Sequence, residues 1–421
     1  MNIKDFTENA QILTILADLE SRNIQNKLFS DITDDEGFQY VDLVMEGGGV
    51  LGVALVGYLY VLEQMRIRFL ALAGTSAGAI NTMILAAGGP INEAKSEWML
   101  ECLCSKNLFD FVDGDKSVKN FISSIIDKKG QLDLIFKSVF ILDEIKNHIG
   151  LNPGDNFHNW LKILLKEKGV ETTEQLQQVR QIVPKGLKNI DGKIYDATRI
   201  ETIAIVAADI VTETKVEFPK MAYLYWEDWK QTNPADYVRA SMSIPVFFYP
   251  FKVSNIPQGK TAWENWNKCT GYSGDVPKEV VFTDGGTMSN FPIDIFHNHF
   301  KVPSAPTFGI KLGSERTKPN EIKNILSYAG AVFDAARHVH DYDFIMRNPD
   351  YKKLVGIIEI GDHNWLNFNL TDKDKIDLFV RGARKAAEFL IGFDWEGYKA
   401  IREALIPAYD KSVTSNIKAT I

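Results

Sequence analysis

A serine lies between glycines at positions 74 to 78, where the chain reads Gly-Thr-Ser-Ala-Gly. Ser76 follows an apolar run and precedes an alanine-rich segment, which predicts a sharp turn between a strand and a helix. Such a turn lifts the hydroxyl clear of the sheet, and Gly74 and Gly78 leave space around it. The pattern predicts a nucleophilic serine, although a purely structural strand-to-helix turn would use the same small residues.

A glycine-rich stretch at 46–52, Glu-Gly-Gly-Gly-Val-Leu-Gly, precedes this serine. Gly47, Gly49 and Gly52 also fit the dinucleotide pattern G-x-G-x-x-G, which requires an acidic residue about twenty positions further on. The next strand ends instead in Leu-Ala-Leu-Ala-Gly-Thr-Ser, which disfavours a nucleotide. Because successive glycines leave their backbone N–H groups unobstructed, Gly47, Gly48 and Gly49 fit an oxyanion hole.

A nucleophilic serine needs a base, and the sequence offers two kinds of candidate. Asp284 follows the apolar run Val-Val-Phe-Thr, and Gly285 and Gly286 give its carboxylate open access. An aspartate alone can orient and deprotonate a serine, as in a serine–aspartate dyad. The alternative is a Ser-Asp-His triad in α/β-hydrolase order, with Asp284 as its acid. Its histidine would come from a set whose members mostly fall in apparent helices, namely His297, His299, His338, His340 and His363.

The segments around these residues alternate between strand and helix. Residues 40–45 and 67–74 read as strands, and helices are expected at 50–65 and from Ala77 onward. This alternation predicts an α/β fold with a central, mostly parallel sheet flanked by helices. Further strands are predicted at 202–210, 278–286, 305–312 and 355–360, and further helices near 319–345 and 371–392.

The chain is expected to form one elaborated domain with an addition at each end. Residues 1–38 read as an amphipathic helix followed by an acidic linker, and residues 39–395 as the catalytic domain. Between about 92 and 200 the strand signal fades, which predicts a helical insertion that covers the site as a lid. Residues 396–421 are expected to form a C-terminal tail.

Taken in order, the motifs resemble those of the patatin-like phospholipase family, bacterial members in particular. EGGGVLG, GTSAG and DGG follow one another, and ASMSIPVFFYP at 240–250 resembles the block before the catalytic aspartate of the family. NFP at 290–292 and the segment at 366–390 also resemble family sequences. Because three motifs occur in the family's order, the resemblance is far more specific than any one of them.

The resemblance implies the three-layer patatin-like fold and a lipid acyl hydrolase of the phospholipase A type. Such an enzyme cleaves carboxylic esters of glycerophospholipids through an acyl-enzyme, without a metal or another cofactor. Ser76 would be the nucleophile, Asp284 its base and residues 47–49 the oxyanion loop. The supporting motif positions are Gly52, Gly74, Gly78, Gly285 and Gly286. Many relatives carry Arg or Lys two residues after the glycine triplet, where this chain has Leu51, so the role of such a cation stays open here.

Composition narrows the choice of partner. The formal net charge of −8 argues against nucleic acid and against electrostatic capture by anionic membranes, but not against apolar contact with lipid. Cys102, Cys104 and Cys269 show no metal-ligand spacing and fit a reducing compartment. No signal peptide or membrane span is recognised, which predicts a cytoplasmic protein with peripheral membrane contact.

A phospholipid or another acyl-ester lipid is the expected substrate. A second functional class stays open at this stage: a lipid- or protein-binding module that keeps the motifs, or an effector whose latent hydrolase activity needs an activating partner. The sequence identifies no activator and leaves the presence of a homo-oligomer open.

Overall fold

Apolar and β-branched residues fill the segments before the two glycine turns, and such residues favour strands in the interior of a sheet. In the computed structural model these segments form part of a ten-stranded sheet. The structure describes residues 1–126, 148–192, 200, 202–298, 300–313, 319, 322, 331, 335–336 and 344–420.

The strands follow one another along the chain as β1 to β12. Their bounds are β1 Ile32–Thr33, β2 Gln39–Met45, β3 Ile67–Thr75, β4 Gly150–Asn152, β5 Lys188–Asn189, β6 Ile203–Asp209, β7 Thr214–Pro219, β8 Val246–Phe248, β9 Phe251–Ser254, β10 Glu279–Asp284, β11 Thr307–Leu312 and β12 Val355–Ile358. Seven strands of the main sheet follow the order β12-β11-β2-β3-β6-β10-β9, and three more join beside this path, where β1 pairs with β2 and β5, and β7 pairs with β6. Neighbours from β12 to β6 are parallel, whereas β10 is antiparallel to both β6 and β9. The mostly parallel α/β sheet is therefore confirmed, with an antiparallel edge.

The described α-helices are labelled α1 to α12. Their bounds are α1 Lys4–Thr7, α2 Ala10–Ser21, α3 Gly52–Gln64, α4 Ala77–Ala87, α5 Ser96–Cys104, α6 Lys116–Ile126, α7 Asp155–Glu167, α8 Thr173–Arg180, α9 Pro234–Ser241, α10 Lys260–Thr270, α11 Asp372–Gly392 and α12 Trp395–Thr420. Short 3₁₀ turns lie at Ile24–Asn26, Gly49–Leu51, Leu108–Phe111, Ala222–Leu224, Trp229–Gln231, Gly285–Thr287 and Pro349–Leu354.

The two glycine turns meet at one edge of the sheet. β2 and β3 are parallel neighbours, so their carboxyl ends lie side by side. α3 begins after β2 and α4 begins after β3, and both helices are buried along almost their whole length. α3 packs against α11, and α4 packs against β2, β3 and β6. The buried helices therefore fix both turns in place at the carboxyl edge of the sheet.

Where it is described, the region between 92 and 200 contains the helices α5, α6, α7 and α8 and the short strand β5, which pairs with β1. It also contains β4, which pairs in parallel with β8 to form a separate two-stranded sheet. The N-terminal helix is divided into α1 and α2, and the segment expected as a tail carries α12. The helix expected near 319–345 lies mostly outside the described residues.

Candidate active site

Ser76 occupies a strained turn between β3 and α4. Its backbone angles, φ 52° and ψ −116°, are unusual for a residue with a side chain. The turn is held from both sides, because the Ser76 N–H donates to Ser241 Oγ at 2.9 Å and the Ser76 carbonyl accepts from Ile80 N at 3.0 Å. α4 begins directly after Ser76, at Ala77, and the N-terminus of this helix favours negative charge beside the serine.

The glycines on each side of Ser76 allow close packing of the turn. A side chain at Gly74 would come within 2.5 Å of Thr82 Oγ1, and one at Gly78 would collide with the Met45 carbonyl at the end of β2. α4 therefore approaches β2 directly through Gly78. This contact fixes the start of α4, and with it Ser76, relative to the neighbouring glycine loop.

The glycine loop after β2 lies against Ser76 and is clamped by Asn290. The Gly47 N–H donates to the Asn290 carbonyl at 3.0 Å, and Asn290 Nδ2 donates to the Gly47 carbonyl at 3.2 Å. A side chain at Gly47 would reach 3.1 Å from Ser76 Cβ, so the loop and the serine are in direct proximity. Within the described part of the chain, the amides of Gly48 and Gly49 donate to no protein acceptor.

The rest of the loop is fixed by its neighbours on both sides. Gly49 has φ 55° and lies against the Trp365 backbone, whose carbonyl accepts from Val50 N at 3.0 Å. Gly52 begins α3, where a side chain would lie 3.0 Å from Asn81 Nδ2. Leu51, at the position where many relatives carry a cation, is buried in the core.

A buried ion pair anchors the start of the glycine loop to β11. Glu46 Oε1 lies 2.6 Å from Lys311 Nζ, and Glu46 Oε2 accepts from Leu312 N at 2.6 Å. The Glu46 side chain is 3% exposed, so the Lys311 cation compensates a carboxylate that is shielded from water. This pair keeps the loop at the end of β2 in a fixed position.

Asp284 is the last residue of β10, which is separated by one strand, β6, from the strand that precedes Ser76. Asp284 pairs with Ala207 on β6, and Thr75, the last residue of β3 and the residue before Ser76, pairs with Val206 on the same strand. One strand thus separates Thr75 from Asp284, and their backbones are roughly 10 Å apart. Asp284 is 2% exposed, and one carboxylate oxygen accepts from Gly286 N at 2.8 Å.

The glycine that follows Asp284 permits the approach of its loop to the serine turn. A side chain at Gly285 would collide with the Val206 carbonyl and lie 3.0 Å from Thr75 Cγ2. Thr75 Oγ1 in turn donates to the Ser289 carbonyl at 2.9 Å. The loop that carries Asp284 is therefore attached to the residue directly before Ser76.

Two serines at the end of α9 connect the candidate nucleophile with the candidate base. Ser241 Oγ accepts from Ser76 N and donates to the Val206 carbonyl at 2.5 Å. The Ser243 carbonyl accepts from Asp284 N at 2.8 Å. The sequence analysis missed both roles, and the only signal for them was the family resemblance of the segment at 240–250.

An apolar pocket opens beside Ser76. The pocket is narrow, with a cavity volume of about 50 Å³, and Ser76 lies in its wall. Gly49, Gly52 and Ala77 line it at the sheet edge. The 92–200 region also contributes to the lining, through Leu103, Leu108, Phe111, Phe157 and Trp160. A hydrocarbon chain held there would extend away from the serine along apolar side chains.

The histidines of the described residues do not line this pocket. His297 Nδ1 is 2.5 Å from the Tyr351 hydroxyl, and His363 Nε2 is 2.9 Å from Asp377 Oδ2. None of the four described histidines is among the residues that line the pocket. Three further histidines lie outside the described residues, namely His299, His338 and His340.

No group of three or more His, Cys, Asp or Glu side chains that could hold a metal ion occurs within the described residues. Of the three cysteines, Cys269 is exposed, whereas Cys102 and Cys104 are buried. Burial raises the pKa of the Cys102 and Cys104 thiols to about 12, so both stay protonated at neutral pH. Among the described helices, none is long and apolar enough to span a bilayer.

The chain is similar to one bacterial protein in sequence and to other bacterial proteins in structure. The chain is 29% identical over 353 residues to the uncharacterized protein YqhO of Bacillus subtilis, a match that covers 83% of this chain and 98% of that protein. VipD of Legionella pneumophila is similar in structure, with a TM-score of 0.40 and 13% identity over 87% of this chain and 71% of that chain. The ExoU–SpcU complex of Pseudomonas aeruginosa gives a TM-score of 0.34 and 12% identity over 84% and 51%.

The family model described as "Patatin-like phospholipase" matches residues 43–297, which is more than half of the chain. The matched segment includes the glycine loop, the serine turn and the Asp-Gly-Gly segment. The chain therefore belongs to the patatin-like phospholipase family.

Proposed function

We propose that this protein is a phospholipase A-type lipid acyl hydrolase, which cleaves carboxylic ester bonds of glycerophospholipids through a Ser76–Asp284 dyad. The observation that carries the proposal is the position of Ser76 in the wall of an apolar pocket, beside a loop whose Gly48 and Gly49 amides have no protein acceptor in the described chain. Membership of the patatin-like phospholipase family supports lipid hydrolysis as the reaction class.

In the acylation step Asp284 accepts the proton of Ser76 Oγ while Oγ bonds to the ester carbonyl carbon. The carbonyl oxygen becomes an oxyanion, and the amides of Gly48 and Gly49 donate to it. The Gly47 amide donates to Asn290, so in this proposal Gly47 fixes the shape of the oxyanion loop. The tetrahedral intermediate then expels the alcohol, which takes the proton from Asp284.

In the deacylation step water replaces the departed alcohol. Asp284 accepts a proton from this water while the water oxygen bonds to the acyl carbonyl carbon. The second tetrahedral intermediate releases the fatty acid, and Ser76 Oγ recovers its proton from Asp284. Because the carboxylate serves as base and then as acid in both steps, the reaction consumes only ester and water.

The test is release of fatty acid from glycerophospholipid in mixed micelles, followed by mass spectrometry. We expect release by the wild type, and a loss of at least a hundredfold in Ser76→Ala and Asp284→Asn. Asp228→Asn is the matched control, because Asp228 is exposed and lies in a surface turn. Equal release by the wild type and Ser76→Ala would contradict the proposal.

A further inference from the structure

Arg239 is a buried cation that the proposed reaction does not use. It lies on α9 and is 4% exposed. Burial lowers its pKa to about 10, an effect that nearby Asp113 and Asp155 oppose, so the guanidinium is charged at neutral pH. A charged group this deep in the protein needs hydrogen bonds of good geometry to compensate for its lost hydration. The partners of Arg239 therefore indicate what its charge holds in place.

One edge of the guanidinium reaches the residue that holds Asp284. Arg239 Nη1 donates to Ser243 Oγ at 2.7 Å, and Ser243 Oγ donates back to the Arg239 carbonyl at 2.8 Å. The Ser243 carbonyl accepts from Asp284 N at 2.8 Å and from Thr283 Oγ1 at 3.1 Å. A displacement of Arg239 would thus move the backbone that fixes the candidate base.

The other edge reaches the start of α7. Arg239 Nη2 donates to the Pro153 carbonyl at 2.6 Å and to the Tyr249 carbonyl at 2.8 Å. Gly154, the residue before α7, lies against the guanidinium, since a side chain there would be 2.7 Å from Arg239 Nε. α7 carries Phe157 and Trp160, which line the apolar pocket.

We propose that Arg239 is a positioning residue that holds α7, and with it this part of the wall of the apolar pocket, in a fixed place relative to Asp284. A long acyl chain then packs on Phe157 and Trp160 only when its ester carbonyl is also correctly placed between Ser76 and its base. Arg239 would in this way make the rate depend on the length of the acyl chain. This inference rests on the proposed hydrolase function.

A second contact between the same two helices provides a matched control. His158 Nε2 on α7 lies 2.6 Å from Asp236 Oδ1 on α9, and Lys162 Nζ lies 3.4 Å from the same oxygen. This contact joins α7 to α9 without involving Ser243 or Asp284. His158→Ala therefore weakens the packing of α7 on α9 but leaves the path from Arg239 to the base intact.

The first experiment measures kcat and KM for p-nitrophenyl esters from acetyl to decanoyl. In the wild type each buried methylene should raise kcat/KM about fourfold. In Arg239→Ala we expect kcat for the acetyl ester to fall roughly tenfold, the equivalent of one lost hydrogen bond, and the gain per methylene to fall to about twofold. Arg239→Lys keeps the charge without the planar fork and should lie between the two.

The control variants separate positioning from general destabilisation. His158→Ala should keep the wild-type gain per methylene. Gly154→Ala forces a methyl group against Arg239 and should likewise reduce the gain in kcat/KM per methylene to about twofold. It serves as the second variant if Arg239→Ala does not fold. An unchanged gain per methylene in both Arg239→Ala and Gly154→Ala would overturn the inference.

A readout independent of catalysis is hydrogen exchange of the same proteins. Arg239→Ala should speed exchange at 155–160 and at 283–286 together, whereas His158→Ala should affect only the first segment. Faster exchange in only one segment of Arg239→Ala would overturn the coupling. If Ser76→Ala hydrolyses the esters as well as the wild type, the proposed function fails, and the exchange result still decides whether Arg239 links the two segments.

Discussion

At the scale of single residues, the candidate site depends on how the backbone of Ser76 is held. A residue with a side chain at φ 52° is strained by roughly 1–3 kcal/mol, and such strain persists only where neighbouring groups fix it. Ser241 is one of these groups, because its hydroxyl links the Ser76 amide to the Val206 carbonyl. The candidate nucleophile therefore depends on a serine that would take no part in the chemistry.

We predict that Ser241→Ala slows the reaction of Ser76 without unfolding the protein. Loss of one buried hydrogen bond to the turn should lower the rate of serine labelling by a fluorophosphonate about tenfold. The measurement is the second-order labelling rate, with Ser254→Ala as control because the Ser254 hydroxyl donates to an exposed glutamate on the antiparallel edge. A wild-type labelling rate in Ser241→Ala would contradict this prediction, because the turn at Ser76 would then keep its conformation without the Ser241 hydroxyl.

The sequence predicts the candidate nucleophile, base and glycine loop because each lies within a short motif of glycines at a strand end. Ser241 and Asn290 could not be assigned in the same way. Ser241 is 165 positions from Ser76, and Asn290 is 243 positions from Gly47. Their contacts depend on the strand order and on the path of the Asp284 loop, and neither is encoded in local spacing.

At the scale of elements, strands followed by a glycine turn and a buried helix were predicted to within a few residues. β2 and β3 show this most clearly, because their mostly apolar sequences are typical of strands buried on both faces, and both strands are buried along their whole length. β4 was not predicted, since Gly-Leu-Asn has no strand pattern and is held by pairing with β8. The antiparallel direction of β10 was also missed, because direction depends on connections that sequence periodicity does not report.

The contact between α3 and α11 gives a prediction about stability. A side chain at Gly382 would collide with the Ala54 backbone, so Gly382→Ala should separate the helices and lower the free energy of unfolding by about 2–3 kcal/mol. Gly392, at the end of the same helix, has nothing within 4 Å of an added methyl group. Urea unfolding of both variants should show the loss in Gly382→Ala alone, and equal losses would mean that the helix contact is not the cause.

At the scale of the whole molecule, the interior contains cations as well as apolar side chains. Lys95 is 4% exposed, and its ammonium forms no ion pair within the described residues. Burial lowers its pKa from 10.5 to about 7, and the nearby Arg180 guanidinium adds to this effect. The unfolded chain keeps Lys95 protonated up to about 10.5, so below that pH the folded state is penalised.

This difference predicts how stability changes with pH. Between about pH 7 and pH 10 the unfolded state binds the extra proton, so the contribution of Lys95 to stability rises with pH, by up to about 1.4 kcal/mol per pH unit. Lys95→Met should therefore be more stable than the wild type at pH 7, with an advantage that shrinks toward pH 10. Urea unfolding at pH 7, 8 and 9 measures this, with the exposed Lys260→Met as control. A constant difference across these pH values would contradict the buried, deprotonated amine.

The most direct measurement is labelling of the purified protein with a fluorophosphonate, followed by intact-mass analysis and peptide mapping. The dyad account predicts one adduct, mapped to Ser76, in the wild type and none in Ser76→Ala. It also predicts that Asp284→Asn labels at least a hundredfold more slowly, because the serine loses its base. An adduct on another residue, no adduct in the wild type, or wild-type labelling in Asp284→Asn would contradict a Ser76–Asp284 dyad.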